Sequence, residues 1–319
     1  MSSIGVLRLE GVPASRLAAK SRHALDSALR LPAELTIATL SDEAIVLGAL
    51  QRASELTGGG EASLPLLRRG SCGAEVRVGP GSLWIQLALE RSDTLVACEP
   101  SRLLNRYVRP VLRALTRNGA LAHYFDRDWI SVAKRPVGLV AFAHDAGTRR
   151  ALVEVIIAAS TPFATRVRPS YLGKPAATLT ELGIDVDLTR LGDAIVEAHA
   201  DTYGRALVEL PRDAPGEADA PIATEDLRSE PAWAVTRDEA IGVIGAGRDR
   251  KGRLRVGGEL MASRDAIATL EREIAEAAGD GARLDRAVDG LAAPGVALLG
   301  VRDLRVVREA IGLALRQGV

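Results

Sequence analysis

The sequence is poor in cysteine, histidine and aromatic residues. Its 319 residues include two cysteines, Cys72 and Cys98, and four histidines, and only 3% of them are Phe, Trp or Tyr. Two cysteines are too few for a disulfide framework, and no CxxC pair or spaced histidine pair is present to bind zinc. Because 47% of the residues are hydrophobic, the core has to be built mainly from Leu, Val, Ile and Ala.

Net charge and long apolar runs are absent as well. The 41 basic residues balance the 41 acidic ones, so no overall field attracts nucleic acid or an anionic membrane. No stretch approaches the roughly 18–20 apolar residues of a membrane helix, and the N-terminus has no signal-peptide pattern. We therefore expect a cytoplasmic protein with no nucleic-acid or membrane partner, in which any anion site is local.

The hydrophobic periodicity predicts an α/β (α+β) fold, with a mixed central sheet flanked by helices. A proline at position 110 should kink the second helix, and Ser101 is its candidate N-cap. The strand-like segments are 35–40, 44–50, 83–89, a hairpin over 129–142, 151–160 and 206–210, and the helical ones are 14–31, 101–119 and 186–204.

A change in composition divides the chain. Residues 211–231 contain four prolines and six acidic residues, which is typical of a linker or a solvated loop. A hairpin over 240–260 and two amphipathic helices follow it. We expect a main domain over 1–210, a linker over 211–231, and a small accessory α+β domain over 232–319.

Two stretches carry most of the candidate functional groups. Residues 68–83 read RRGSCGAEVRVGPGSL, and residues 127–138 read RDWISVAKRPVG. Glycines let backbone N–H groups approach a phosphate closely, and a nearby cation neutralises its charge. The first stretch can therefore be an anion-binding loop, although a plain glycine-rich bend between strands has the same composition.

These strings and the order of elements resemble the lipoate–protein ligase and octanoyltransferase family, which is related to biotin ligases. Residues 68–83 are similar to the Arg-Arg-Ser-Gly-Gly-Gly-Ala-Val of the ligases, and GPGSL to the Gly-Pro-Gly-Gln-Leu of the octanoyltransferases. Residues 178–204 resemble the Asn-Leu-Thr-Glu-Leu segment and the helix after it. The resemblance covers nearly the whole chain. It implies a biotin/lipoate ligase-like fold with a C-terminal accessory domain.

The resemblance also implies a reaction. Family ligases form an acyl-adenylate from ATP, with Mg²⁺, and lipoate or octanoate, and then transfer the acyl group to a lysine of a carrier domain. By position, Arg135 and the adjacent Lys134 would be the catalytic cations, and Asp128 would approach the metal. The implied acyl- and nucleotide-binding residues are Arg69, Ser71, Cys72, Gly73, Gly79, Gly81 and Gly138.

Several positions depart from the family pattern. Cys72, Ala74 and Glu75 interrupt the glycine run, and Arg135 stands where the ligases have lysine. On a strand, Lys134 would point to the opposite face from Arg135. A continuing strand would also let Glu75 point away from a bound phosphate. We expect Cys72 to be an inert thiol and not an acyl nucleophile, because the family's nucleophilic cysteine would fall near Ala120.

Three functions stay open at this point. The chain can be an acyl–protein ligase. It can be a non-catalytic pseudo-ligase that binds a lipoyl-type ligand or carrier domain as a structural or regulatory subunit. It can also transfer an acyl group directly from acyl carrier protein without ATP. Among the histidines, we expect His199 on the polar side of its helix, and His123 and His144 near the hairpin.

Overall fold

A computed structural model describes residues 3–56, 63–164, 167–168, 171–212, 227–277 and 280–317. Eleven strands lie before residue 210 in these ranges. They are β1 (Ile4–Val12), β2 (Ala33–Leu40), β3 (Ala44–Leu47), β4 (Leu66–Arg68), β5 (Val76–Val78), β6 (Ser82–Leu89), β7 (Ala122–Tyr124), β8 (Trp129–Val132), β9 (Arg135–His144), β10 (Ala151–Ala158) and β11 (Leu207–Glu209).

Eight of these strands form one mixed sheet in the order β11-β1-β2-β6-β10-β9-β8-β7. The first two pairings are parallel, and the others are antiparallel. The remaining strands form a small sheet in the order β4-β3-β5. The predicted mixed sheet flanked by helices is therefore confirmed.

Helices cover both faces of the large sheet. Helix α1 (Ala14–His23) packs with the small sheet on one face. Helices α2 (Leu103–Tyr107), α3 (Arg109–Arg117) and α4 (Leu188–Tyr203) pack on the other. Aliphatic side chains alternate between the two faces along the strands, as the period of two residues requires. The glycine-rich stretch 68–83 runs between the small and the large sheet.

The helix termini follow the local sequence in most cases. The predicted second helix is interrupted at Val108, between α2 and α3 and two residues before Pro110, which agrees with the kink expected at this proline. Asp187 caps α4 by accepting a hydrogen bond from the Arg190 amide, and Gly204 ends it in a left-handed conformation. The prediction of Ser101 as a helix N-cap was wrong, because Ser101 lies inside a short 3₁₀ turn that has no side-chain cap. The first helix ends at His23, short of the predicted residue 31.

The C-terminal region (residues 227–317) has a core of its own. Strands β12 (Val235–Glu239), β13 (Gly242–Arg248) and β14 (Leu254–Gly258) form an antiparallel sheet, and β15 (Met261–Ala262) pairs with β16 (Leu298–Leu299). Its helices are α5 (Arg264–Ala277), α6 (Gly281–Asp289) and α7 (Leu304–Gln317). The predicted hairpin and the two long helices are confirmed, while β12 and α6 were not predicted.

The C-terminal region is joined to the rest of the molecule through buried contacts. Leu227 packs in one cluster with Ile45, Leu47 and Leu66, and Met261 belongs to the core beneath the large sheet. Residues 213–226 of the expected linker lie outside the described residues, so the domain boundaries stay a prediction. Within the described ranges, no helix is both long and apolar enough to cross a bilayer.

Candidate functional site

Arg69, the arginine that opens the glycine-rich stretch, is fully buried. Its Nε donates to the Ser71 hydroxyl at 2.8 Å, and its other nitrogens donate to the carbonyls of Val46 at 3.1 Å and of Cys72 and Ala74, both at 2.7 Å. Burial lowers the pKa of Arg69 to about 10. Its donors therefore hold the stretch to strand β3, where the resemblance implied a phosphate.

The next residues are enclosed by the C-terminal region. The Cys72 thiol is buried beside the Ala262 carbonyl, at 3.5 Å, and burial raises its pKa to about 11. Such a thiol carries almost no thiolate at neutral pH, which agrees with the expected inert role. Gly73 has a φ of +85°, and a Cβ placed there would lie 3.3 Å from the Met261 sulfur.

The turn between β5 and β6 is also bonded within the chain. The Gly79 amide donates to the Ser82 hydroxyl at 3.1 Å, and the Gly81 amide donates to the Thr161 hydroxyl at 3.0 Å. A Cβ at Gly81 would collide with Ser160 and with the Thr161 backbone. These two glycines therefore allow a close approach between two segments of the protein.

Glu75 points inward, so the expectation that it faces outward was wrong. Its carboxylate forms an ion pair with Arg168 and accepts a hydrogen bond from the Gln51 amide at 2.7 Å. Arg168 also pairs with Glu259 of the C-terminal region. All three charged side chains are at most 2% exposed. The two carboxylates raise the pKa of Arg168 against its burial, so it stays charged.

The second stretch forms the tip of the β8–β9 hairpin. Ala133 and Lys134 form the two-residue turn, with φ values of 48° and 65°. The expected position of Lys134 on a strand was therefore wrong. Its side chain is exposed. Arg135 donates to the carbonyls of Pro175 at 3.3 Å and Ala176 at 2.6 Å.

Gly138 and Asp128 lie deeper in the same hairpin. A Cβ at Gly138 would meet the Ile156 carbonyl oxygen at 2.5 Å, so this glycine permits close packing of β9 on β10. Asp128 is fully buried, and its backbone carbonyl accepts a hydrogen bond from Val140. The described residues contain no cluster of three acidic, His or Cys side chains that could hold a metal ion.

One segment contacts both stretches. We call residues 159–179 the covering segment; positions 165, 166, 169 and 170 lie outside its described part. It meets Gly81 through Thr161, Glu75 through Arg168, and Arg135 through Pro175 and Ala176. Gly81 and Arg135, both predicted site residues, therefore contact the same segment, whereas Cys72 and Gly73 meet the C-terminal region and Lys134 is exposed.

Aromatic side chains of the covering segment complete its packing. Phe163 and Tyr171 are each 1% exposed, with ring centroids 6.1 Å apart, and Tyr171 meets Trp129 edge-on at 6.1 Å. Burial raises the pKa of Tyr171. Neither Arg168 nor Tyr171 was predicted as a site residue. The available signal was Glu75, because a carboxylate that faces the interior requires a buried cation.

The histidines are not part of this arrangement. His199 is buried, and its Nδ1 lies 2.7 Å from the Ile195 carbonyl oxygen, so its expected position on the polar side of α4 was wrong. His144 is buried with its Nδ1 2.8 Å from the Ser263 hydroxyl, at the contact with the C-terminal region. His123 is exposed and stacks on Phe125.

Comparison with known proteins gives a structural match only. No protein-family model matches the sequence, and no curated protein does. P. falciparum LipL1, solved in complex with lipoate, aligns with a TM-score of 0.63 and 12% identity over 97% of this chain and 99% of its own.

Two further solved structures cover 72% of this chain. One is a bi-partite lipoate protein ligase from Thermoplasma acidophilum, studied with its E2 lipoyl domain, with a TM-score of 0.52, 15% identity and 91% of its own chain covered. The other is lipoate-protein ligase A bound with ATP, with a TM-score of 0.52, 16% identity and 93% covered. The resemblance in the sequence is thus confirmed for the fold, and the chain has the fold of lipoate–protein ligases.

Proposed function

We propose that this chain is a non-catalytic protein with the lipoate–protein ligase fold, which recognises a lipoyl-type carrier domain. The observation that carries the proposal is the covering segment. It bonds to Gly81 and Arg135, two of the residues that the resemblance places at an acyl-adenylate, and to Glu75, which interrupts the glycine run. A ligand at this place would have to displace Phe163, Arg168 and Tyr171 together.

The charged side chains at this place also support a non-catalytic role. A ligase needs cations that are free to bind the α-phosphate of ATP. Arg69 donates its hydrogen bonds to Ser71 and to three backbone carbonyls, and Arg135 donates to the covering segment. Glu75 adds a buried carboxylate beside the loop. ATP and its Mg²⁺ do not fit this arrangement.

The partner part of the proposal rests on the fold. The Thermoplasma acidophilum ligase was studied with its E2 lipoyl domain, and that domain class is the natural first candidate for this chain. A scaffold can keep a partner surface after its chemistry has changed, because binding and catalysis depend on different residues. This chain, bound to a carrier domain, would then serve as a structural or regulatory subunit.

ATP–pyrophosphate exchange with added lipoate or octanoate tests the catalytic half. We expect no exchange above background from the wild-type protein or from Arg135→Lys, which restores the lysine of the family pattern. An active lipoate–protein ligase, assayed in parallel, is the positive control. Calorimetric titration with a lipoyl domain tests the binding half, and the absence of binding there would refute it.

A ligase is the second candidate, because solved structures of the same fold hold lipoate or ATP. This function requires the covering segment to move away from Glu75 and Arg135. It predicts lipoate- or octanoate-dependent exchange that disappears in Arg135→Ala, and that result would overturn the non-catalytic proposal. Direct acyl transfer from acyl carrier protein predicts, instead, activity without nucleotide that is lost in Lys134→Ala or Arg135→Ala.

A further inference from the structure

A cleft lies between the main body and the C-terminal region, away from the candidate site. It has a volume of about 570 Å³ and is bounded on one side by residues 49–52 and Arg68 and on the other by the β13–β14 turn and helix α5. The covering segment contributes no residue to its described lining. Ten of the nineteen described lining residues are charged, so the cleft is suited to a charged ligand and not to an apolar one.

The charge of the cleft is mainly positive, although the whole chain is neutral. Seven of the ten charged residues are cationic and three are acidic. Each acid already pairs with an arginine of the cleft: Glu230 with Arg68 at 2.6 Å, Asp249 with Arg253 at 2.9 Å and Arg255 at 3.1 Å, and Glu271 with Arg255. A concave surface concentrates the field of such charges, so the cleft attracts anions.

The β13–β14 turn brings basic side chains together. Residues 248–255 read RDRKGRLR, in which five of the eight residues are basic. Asp249 accepts hydrogen bonds from the backbone amides of Lys251 at 2.8 Å and Arg253 at 3.0 Å. Although burial acts in the opposite direction, these bonds and the neighbouring arginines lower the pKa of Asp249 to about 2. Asp249 therefore stays ionised and fixes the turn, so a ligand binds it without the entropy cost of ordering a loop.

The cations of this turn are also accessible to a partner. Arg250, Lys251 and Arg253 line the cleft and are exposed, and the Arg253 side chain is 58% exposed. The Lys251 ammonium makes no ion pair with any residue in the described ranges. Arg264, which is exposed at the other side of the cleft, is already paired with two acids of the main body. The turn is therefore the part of the cleft that offers positive charge to a ligand.

Two features of the cleft favour carboxylates of a peptide over a nucleic acid. Single-stranded nucleic acid binds through a long basic track and aromatic rings on which its bases stack. The ring of Trp233 is not free for stacking, because the Arg52 guanidinium lies 3.6 Å above it and Gly245 and Gly257 pack against it. The basic turn is also short. A few carboxylates need only single guanidinium or ammonium groups, as Asp249 shows with its arginine partners.

We propose that this cleft is a docking site for a short acidic segment, rich in Asp and Glu, of a partner protein. Carboxylates of the segment pair with Arg250, Lys251 and Arg253, and the segment lies between the β13–β14 turn and helix α5. Binding between such opposite charges is fast and weakens as salt is added. Because the covering segment takes no part, the proposal stands whether or not the chain recognises a carrier domain.

Fluorescence anisotropy of labelled hexaglutamate with blocked ends, titrated with the full-length protein, tests the site. We expect saturable one-to-one binding at low salt that weakens at least about tenfold in 0.5 M NaCl, because the salt screens the charges. Hexaglutamine, which has the same length and no charge, should not bind. A thymidine hexanucleotide should bind more weakly than hexaglutamate.

Charge changes in the cleft locate the binding. Lys251→Glu and Arg253→Glu should each weaken binding at least about tenfold, since each replaces an attraction by a repulsion. Ala268, exposed on helix α5 and part of the lining, allows a matched pair of variants. Ala268→Lys should tighten binding about threefold and Ala268→Glu should weaken it by a similar factor. Both residues are good helix formers, so the circular dichroism spectrum should stay unchanged.

Arg302→Glu is the control for net charge. It makes the same charge change at an exposed position of the C-terminal region, outside the described lining of the cleft, and should alter the affinity less than about twofold. No binding of hexaglutamate, or equal binding of hexaglutamine, would overturn the proposal. So would equal effects of Arg302→Glu and Lys251→Glu, or the same response to both Ala268 variants. Tighter binding of the hexanucleotide would overturn it in favour of a nucleic-acid site.

Discussion

Arg168 and Glu75 form an ion pair in the interior of the molecule, where each side chain is 2% exposed. The pair joins the covering segment to the glycine-rich stretch. Arg168 holds a second carboxylate, that of Glu259, from the C-terminal region. Three segments that are far apart in the sequence therefore meet at a single guanidinium group, and the stability of the fold should depend on it.

Arg168→Ala should destabilise the protein by about 3–5 kcal/mol, because two buried carboxylates lose their common cation. Urea unfolding at pH 7, followed by circular dichroism, measures the change. Arg149→Ala is the control, since it breaks the pair with Asp93, in which the arginine is 47% exposed. The control should lose less than about 1 kcal/mol. Equal losses in the two variants would contradict the structural role given to Arg168.

Gly48→Ala should destabilise the protein by about 1–3 kcal/mol, since an added Cβ would overlap the Gly73 carbonyl oxygen and neither backbone can move freely. Gly281→Ala, at the first turn of α6 with open space around it, should be neutral or slightly stabilising. Thermal unfolding of both variants checks the difference. A Gly48→Ala protein as stable as the wild type would show that the glycine-rich stretch is not packed as described.

The two cysteines should differ in their reaction with iodoacetamide. Burial raises the pKa of each thiol to about 11, so both carry little thiolate at pH 8. Cys98 is only half-buried and should react slowly, whereas Cys72 should react only after unfolding. Mass spectrometry of protein labelled with and without urea gives the pattern. Fast labelling of Cys72 in the native protein would restore it as a candidate nucleophile.

His199 should make stability depend on pH. Burial lowers its pKa to about 4, below the value of roughly 6.5 in the unfolded chain. The unfolded state therefore binds the extra proton first as the pH falls. The contribution of neutral His199 is complete above pH 6.5 and is lost between about pH 6.5 and 4. It amounts to at most about 3 kcal/mol.

Urea unfolding at several pH values between 4.5 and 7.5 measures this slope. His199→Gln removes the titrating group and should flatten the pH dependence relative to the wild type. His144, whose pKa burial also lowers, stays in this variant and leaves a smaller slope of the same sign. An unchanged slope in His199→Gln would show that His199 is not buried as a neutral side chain.

Much of the fold followed from local sequence patterns. Pro110 predicted the interruption of the second helix, and Gly204 predicted the end of α4, because both residues act through their own backbone geometry; the Asp187 cap was not predicted. His199 could have been placed correctly, since it follows Ile195 by four residues and so lies on the same buried face. The turn at Ala133 and Lys134 was harder, because it lacks the Asn-Gly signature of such turns.

The candidate site was less accessible to sequence reasoning. The two motifs lie on one common segment, because the glycine-rich stretch and the hairpin both contact the covering segment, and their site roles stay a prediction. They did not indicate what fills that region. The partner of Glu75 comes from position 168 and the partner of Arg168 from position 259, and pairing across such distances is set by the tertiary fold alone.

The Met261 contact with Gly73 and the Glu259 contact with Arg168 have a practical consequence for the design of fragments. A chain cut near residue 210 would lose both, along with the Leu227 anchor on the small sheet. The remaining fragment would expose apolar surface and would lose the second carboxylate partner of Arg168. If such a fragment lost binding or activity, the cause could be its damaged fold. Point substitutions are therefore the better way to assign functions to the two regions.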